Sequence, residues 1–306
     1  MISVVIPCYR SENTIEKVTE KLISVLMQRD EQYEIILVND GSPDNVWNKI
    51  KTLSEKYGDI VCGINFCRNF GQHSALLAGY RYAIGDVVVS MDDDGQTNSE
   101  YLWELVDKLR EGYDVVYAEY PESKEKLFRR LGSWINAQMC ITMIDKPKDV
   151  KGTSFNAIRK YIIDDMIRYD NPYQYIGGLV FRTTKNFGKV IVPHEERMEG
   201  TSGYSLKKLM ALTFNGFTAF SVKPLRVASY VGSVCAIMGF VYGLIVVCRR
   251  LFNPMIQMGY SSLMAGMMFV GGMLMLMLGI IGEYVGKTYM ETKQRPRYII
   301  SERTFK

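Results

Sequence analysis

The chain has 306 residues, 47% of them apolar and 23% charged, and a mean hydropathy of −0.04, enough apolar surface to exclude a disordered protein. Six cysteines without framework spacing exclude a disulfide scaffold, and the length suits one full-sized domain plus an appendage, or two small domains. The net charge of +4 is uneven: eight of the 37 Lys/Arg and three of the 33 Asp/Glu lie in Val227–Lys306, leaving 29 against 30 upstream, a balance that argues against nucleic-acid binding.

Up to residue 120 the pattern alternates. Ile2–Pro7, Glu34–Asn39, Ile60–Phe66, Asp86–Met91 and Asp114–Tyr120 read as strands, rich in Val and Ile. Asn13–Gln28, Val46–Tyr57, His73–Ile84 and Ser99–Glu111 read as helices between them, the first opening on a capping-box pair, Asn13 and Glu16. Such alternation predicts an α/β fold with a mainly parallel sheet covered on both faces, and such sheets bind ligands beyond the carboxyl ends of their strands.

Those ends are polar. They read Pro7-Cys8-Tyr9, Asn39-Asp40-Gly41-Ser42, Arg68-Asn69 and Asp92-Asp93-Asp94-Gly95-Gln96. Adjacent carboxylates repel one another unless a cation is bound. Asp and Gln oxygens suit Mg²⁺ or Mn²⁺, and a nucleoside diphosphate would fill the remaining positions. Two plainer readings stand beside this one: Asp-Gly is common turn chemistry, and a run of Asp also suits the acidic start of a helix. No phosphate-loop or dinucleotide motif occurs. His73 and His194 read as structural or substrate-orienting. Cys62 and Cys67 have no second ligand pair for zinc, and Cys8, Cys62, Cys67 and Cys140 are expected to stay thiols.

Two uncharged runs follow, Val227–Val247 and Ser262–Gly282, each 21 residues. As helices they span about 31 Å, the thickness of a bilayer core. Lys223, Arg226, Lys287, Lys293, Arg295 and Arg297 flank the pair and only Arg249 and Arg250 lie between, which places both termini in the cytoplasm. The chain opens on a strand pattern, so no cleavable signal is expected before it. Residues 1–225 then form a cytoplasmic domain, 226–290 a transmembrane hairpin and 291–306 a cytoplasmic tail. Lys124–Ile144 and Leu206–Phe220 mix basic and apolar residues, as helices lying on a bilayer do. Gly271 and Gly272 permit close helix packing, so a homo-oligomer is open.

VVIPCY, VNDGSPD, MDDDGQ, the two spans and the tail IIGEYVGKTYMETKQRPRYII together resemble the family 2 glycosyltransferases. Within them the chain is similar to the polyprenyl-phosphate sugar transferases, such as the dolichol-phosphate mannosyltransferases and the bacterial undecaprenyl-phosphate sugar transferases. The resemblance covers essentially the whole chain. It implies a GT-A domain that transfers one sugar, with inversion, from a nucleotide sugar to a lipid phosphate at the cytoplasmic membrane. UDP is the expected nucleotide by analogy with the bacterial members.

By the same resemblance Pro7, Tyr9 and Asp40 hold the nucleoside, with Arg68 and Asp93 beside them. Asp92, Asp94 and Gln96 organise the metal and the donor pyrophosphate. Arg129, Ser133 and Arg159 meet the acceptor phosphate, with Asn136 close by in sequence. Arg197 precedes a loop that closes on the donor. Asp92, Asp94, Arg129, Arg159 and Arg197 are thus the catalytic candidates. Three departures stand out: Ser11 where the family often has Glu, with Glu12 adjacent; Gly203 where it often has Lys; and Asn39 where Asp is common.

A polyprenyl phosphate is already an anion at neutral pH, so this chemistry needs no general base. Processive polysaccharide synthases share the nucleotide half but carry a Gln-x-x-Arg-Trp motif and more spans, both missing from this chain. Transfer to a lipid-linked oligosaccharide or a protein, and an inactive membrane scaffold, remain as alternatives.

Overall fold

The computed structural model describes residues 1–120, 147, 150–169, 175–193, 223–252, 259–292 and 296–305. The two expected surface helices, and with them Arg129, Ser133, Asn136, Cys140, His194, Arg197 and Gly203, lie outside those residues.

An eight-stranded sheet organises the first unit, which comprises Met1–Thr213 and Arg295–Lys306. The strands are β1 (Ile2–Cys8), β2 (Tyr33–Asn39), β3 (Val61–Phe66), β4 (Val87–Ser90), β5 (Val115–Glu119), β6 (Asn156–Arg159), β7 (Phe187–Ile191) and β8 (Ile300–Arg303). Their order is β7-β5-β6-β4-β1-β2-β3-β8. β1 is buried along its whole length, as a central strand covered on both faces must be. It pairs in parallel with β2 on one side and β4 on the other, so strand order reverses between β1 and β4. That reversal opens a crevice at the carboxyl edge.

Helices α1 (Ile15–Leu26), α2 (Val46–Tyr57), α3 (Gln72–Tyr82) and α4 (Leu102–Arg110) connect the early strands, followed by α5 (Lys160–Arg168) and α6 (Ile176–Thr183). α1 buries Ile15, Val18, Leu22 and Leu26, one stripe at helical spacing, in a core shared with Val4 and Ile6 of the sheet. α3 lies so close to β1 that a Cβ at Gly79 would sit 2.3 Å from Val5 Cγ1.

Three features add detail to the expected pattern. α1 begins at Ile15, and the Thr14 hydroxyl at its start donates to the Asp93 carbonyl at 2.7 Å. The sheet is mainly parallel, as expected, with β6 running antiparallel to β4 and β5. In the tail, β8 pairs antiparallel with β3 and Arg295–Lys306 belong to the first unit.

The second unit, Phe214–Gln294, carries α7 (Lys223–Phe252) and α8 (Tyr260–Thr292), 30 and 33 residues long. Within α8, Phe269–Met290 is long and apolar enough to cross a membrane, with mean hydropathy 1.7. Phe240, Phe269 and Met275 are exposed, which suits helices surrounded by lipid. α7 and α8 approach closely at Gly232, where a Cβ would lie 2.7 Å from Met277 Cε. Gly271 and Gly272 face open space among the described residues.

Candidate active site

β1 and β4 deliver their following residues to the crevice from either side. Tyr9, after β1, is 43% exposed, and its backbone N–H donates to Asp93 Oδ2 at 2.9 Å, closing the two loops on each other. Arg10, the next residue, has φ of 59°, a left-handed conformation that costs energy for a side-chain-bearing residue. Its N–H is held by Ser42 Oγ at 2.8 Å, tying the β1 loop to the β2 loop as well.

Asp92 and Asp93, neighbours in sequence, make separate sets of contacts. Asp92 accepts from Gln72 Nε2 at 2.8 Å and from Ser154 Oγ at 2.5 Å. Burial pushes the Asp93 carboxyl up to about 6, and the charge of Asp92 adds to the shift. Asp94 Oδ1 accepts from Gln96 N at 3.0 Å, curling the loop so that both residues belong to one short turn. Tyr120, past β5, is pushed up to about 12 by burial, with the charges of Asp92 and Asp94 contributing.

On the β2 side, Asp40 is 3% exposed. Its carboxylate accepts from Phe70 N at 2.7 Å, Gly71 N at 2.9 Å and Asn69 Nδ2 at 3.0 Å. Burial raises it, and the Phe70 and Gly71 N–H groups oppose that. Asp40 therefore fixes the Asn69–Gly71 turn in this geometry. The turn lies against Gly41, whose φ is +57° and where a Cβ would come within 2.1 Å of Arg68 C. Only glycine fits there. The Arg68 guanidinium lies over the Phe70 ring, 4.1 Å from its centroid, at the same edge.

Pro7, at the end of β1, and Tyr9, Asp40, Arg68, Asp92, Asp93, Asp94 and Gln96, from adjoining loops, thus lie at one edge. Arg159 does not join them. β6 is antiparallel to β4, so Arg159 pairs with Val87, about 16 Å from Asp92 at roughly 3.3 Å per residue. Its guanidinium donates to the Tyr113 carbonyl at 2.8 Å and the Leu109 carbonyl at 2.9 Å. Expected at the acceptor phosphate, it instead ties the far ends of α4 and β5 together. The other end of the same segment, Ser154, reaches the site.

Glu12 also faces elsewhere. Its carboxylate accepts from Asn45 N at 3.1 Å and its N–H donates to Asp44 Oδ2 at 3.0 Å, both just before α2, while Ser11 is buried. Gln72, Ser154 and Thr14 are contributors the sequence reading did not pick out. Gln72 follows β3 three residues past Asn69, where the rule for strand ends would have found it. Ser154 needed the direction of β6. His73, in the first turn of α3, meets Tyr175 edge-on with ring centroids 5.5 Å apart, and burial holds it at about 4, neutral at physiological pH.

The architecture is that of a GT-A glycosyltransferase: a nucleotide-sugar fold whose carboxyl edge carries an acidic loop after β4. A solved structure with the same fold is glucosyl-3-phosphoglycerate synthase from Mycobacterium tuberculosis in complex with Mn²⁺ and UDP-glucose. It is 18% identical with a TM-score of 0.53, covering 72% of this chain and 77% of that one. The chain belongs to glycosyl transferase family 2, whose model matches residues 3–167, and the model of the GtrB C-terminal hairpin matches residues 223–288. An uncharacterised glycosyltransferase, YkcC, of Bacillus subtilis is 35% identical over 98% of this chain and 93% of its own. The undecaprenyl-phosphate 4-deoxy-4-formamido-L-arabinose transferase of Proteus mirabilis is 34% identical, again over 98% and 93%. The enzyme is a glycosyltransferase with a membrane hairpin.

Proposed function

We propose that the enzyme transfers a single sugar from a UDP-sugar to undecaprenyl phosphate at the cytoplasmic face of the membrane, with inversion. The observation that carries this reading is the carboxyl edge at the strand-order reversal, where Tyr9, Asp92, Asp93 and Asp94 come together. The relatives that act on undecaprenyl phosphate, and the hairpin that would bring the domain to a lipid acceptor, support it.

Pro7, Tyr9 and Arg68 flank the nucleoside, with Asp40 forming the wall behind them. The donor set suits a hard divalent ion, Mg²⁺ or Mn²⁺: Asp92, Asp94 and Gln96 offer oxygen ligands on one short turn. Among the described residues no three His, Cys, Asp or Glu side chains gather into a closed cage, so donor phosphates would share the ion with the protein. Such an ion, when bound, neutralises charge on the departing pyrophosphate.

The acceptor phosphate is already ionised, and its oxygen attacks the anomeric carbon in line. The bond to the nucleotide breaks, and its electron pair leaves on the diphosphate. The protein's work is placement and screening rather than deprotonation. Arg129 and Ser133 are proposed for the acceptor phosphate and Arg197 for closure on the donor; Arg159 is withdrawn from the acceptor role on its position.

The test is to incubate the purified protein and undecaprenyl phosphate with a panel of labelled UDP- and GDP-sugars and resolve the lipid extract by thin-layer chromatography. A one-sugar lipid phosphate formed from a UDP-sugar is expected. Longer lipid-linked material, or label found only on protein, would overturn the reading.

A further inference from the structure

The tail strand reaches the donor edge through a row of aromatic rings. β8 is fastened to β3 along its length: Cys67 N donates to the Ile299 carbonyl at 3.0 Å, and Ser301 Oγ to the Asn65 carbonyl at 3.1 Å. Further on, Glu302 Oε2 accepts from Trp47 Nε1 at 2.8 Å, and Thr304 Oγ1 accepts from Gly63 N at 2.8 Å. Phe305 packs edge-on to Tyr82 at 5.4 Å.

Just before β8, Tyr298 stacks on Phe66, with centroids 5.1 Å apart and planes 10° from parallel. Phe66 is 2% exposed and has little room to move. It meets Phe70 edge-on at 5.7 Å, and Phe70 carries the Arg68 guanidinium on its face. The Phe70 N–H holds Asp40, and the Arg68 backbone lies against Gly41. Tyr298, Phe66, Phe70 and Arg68 are thus consecutive contacts, ending on the turn that borders the nucleoside pocket. The β3 pairing is irregular at Asn65 and Phe66, so the ladder alone does not fix this stretch and side-chain packing must.

We propose that Tyr298 is a positioning residue for donor binding: stacked on Phe66, it holds Phe70 and Arg68 so that the Asn69–Gly71 turn keeps the shape of the nucleotide pocket. This rests on the donor-edge reading above. The segment that follows the membrane hairpin then contributes to nucleotide affinity without touching the nucleotide.

The experiment titrates the full-length protein in detergent with UDP and with GDP, follows whichever binds, and records melting curves. Tyr298→Ala should weaken nucleotide binding about five- to tenfold. Tyr298→Phe, which keeps the stack, should stay within twofold of the parent. Glu302→Gln, which loosens the tail at Trp47 away from the rings, should lower the melting temperature and leave affinity within twofold. Affinity unchanged in Tyr298→Ala, or weakened equally in Glu302→Gln, would overturn the proposal. Arg68→Ala in parallel separates the causes. If it weakens binding while Tyr298→Ala does not, only this inference falls; if neither weakens binding, the donor-edge reading falls and takes the inference with it.

Discussion

The two edges of the sheet use polar side chains in opposite ways. At the amino edge, charged groups are consumed by the fold. Arg159 is held by two backbone carbonyls, and Lys160 Nζ by the Ala83 carbonyl at 2.7 Å and by Asp164 at 3.2 Å. At the carboxyl edge, Asp40 and Asp93 are held by backbone N–H groups and neutral side chains, while Asp92 receives an amide and a hydroxyl. Neutral donors orient a carboxylate without cancelling its charge. Burial then disfavours that charge, as the raised Asp93 shows. Arg159 and Lys160 are therefore scaffold at one edge, while the carboxylates at the other keep their charge, as the proposed cation site requires.

Changes to the acidic side chains of the carboxyl edge should cost chemistry, and changes to the charged side chains of the amino edge should cost stability. The largest effect is expected for Asp94→Asn: sugar transfer should fall by at least about 10²- to 10³-fold while circular dichroism and melting stay at parent values. Near-normal turnover would erase the distinction between the edges. Gly41→Ala should come next, because its Cβ would collide with the Arg68 backbone and its φ is left-handed. A loss of about 2–4 kcal/mol in denaturant unfolding is expected, together with weaker nucleotide binding.

Arg159→Gln sharpens the contrast from the other side. It should cost about 2 kcal/mol of stability, since the Tyr113 and Leu109 carbonyls lose a charged partner. The KM for undecaprenyl phosphate should stay within twofold; a large rise would return Arg159 to the acceptor site. The smallest effect concerns His73, which burial lowers from its ordinary value of 6.5 to about 4. The unfolded chain takes up this proton as pH drops below 6.5, whereas the folded chain takes it up only near 4. The contribution is therefore complete above pH 6.5 and is lost as pH falls toward 4. Relative to His73→Phe, the parent should lose about 1–2 kcal/mol between about pH 7.5 and about pH 5, measured by urea unfolding. An unchanged difference would mean the ring is not buried neutral.

Much of this arrangement was legible in the sequence. The strands β1 to β5 are short apolar runs bounded by turn residues, and the rule for strand ends led directly to Tyr9, Asp40, Arg68 and Asp92. What was not legible has physical causes. β6 is only four residues long, and nothing in Asn156-Ala157-Ile158-Arg159 encodes its direction, so the place of Arg159, carried over from the resemblance, could not be checked against the sheet. β8 is an edge strand with mostly exposed side chains, held by backbone pairing and by Trp47, Gly63 and Ser54; it lacks the apolar alternation that marks a half-buried strand. Whether Glu12 replaces the carboxylate missing at Ser11 was open in the sequence; in the fold it accepts from the Asn45 N–H just before α2.

The most direct test of the central claim is calorimetric titration of the purified enzyme with UDP in the presence of Mn²⁺ and then with excess chelator. The account predicts binding that depends on the metal and disappears in Asp94→Asn. Equal affinity with and without the ion, unaffected by that substitution, would contradict it.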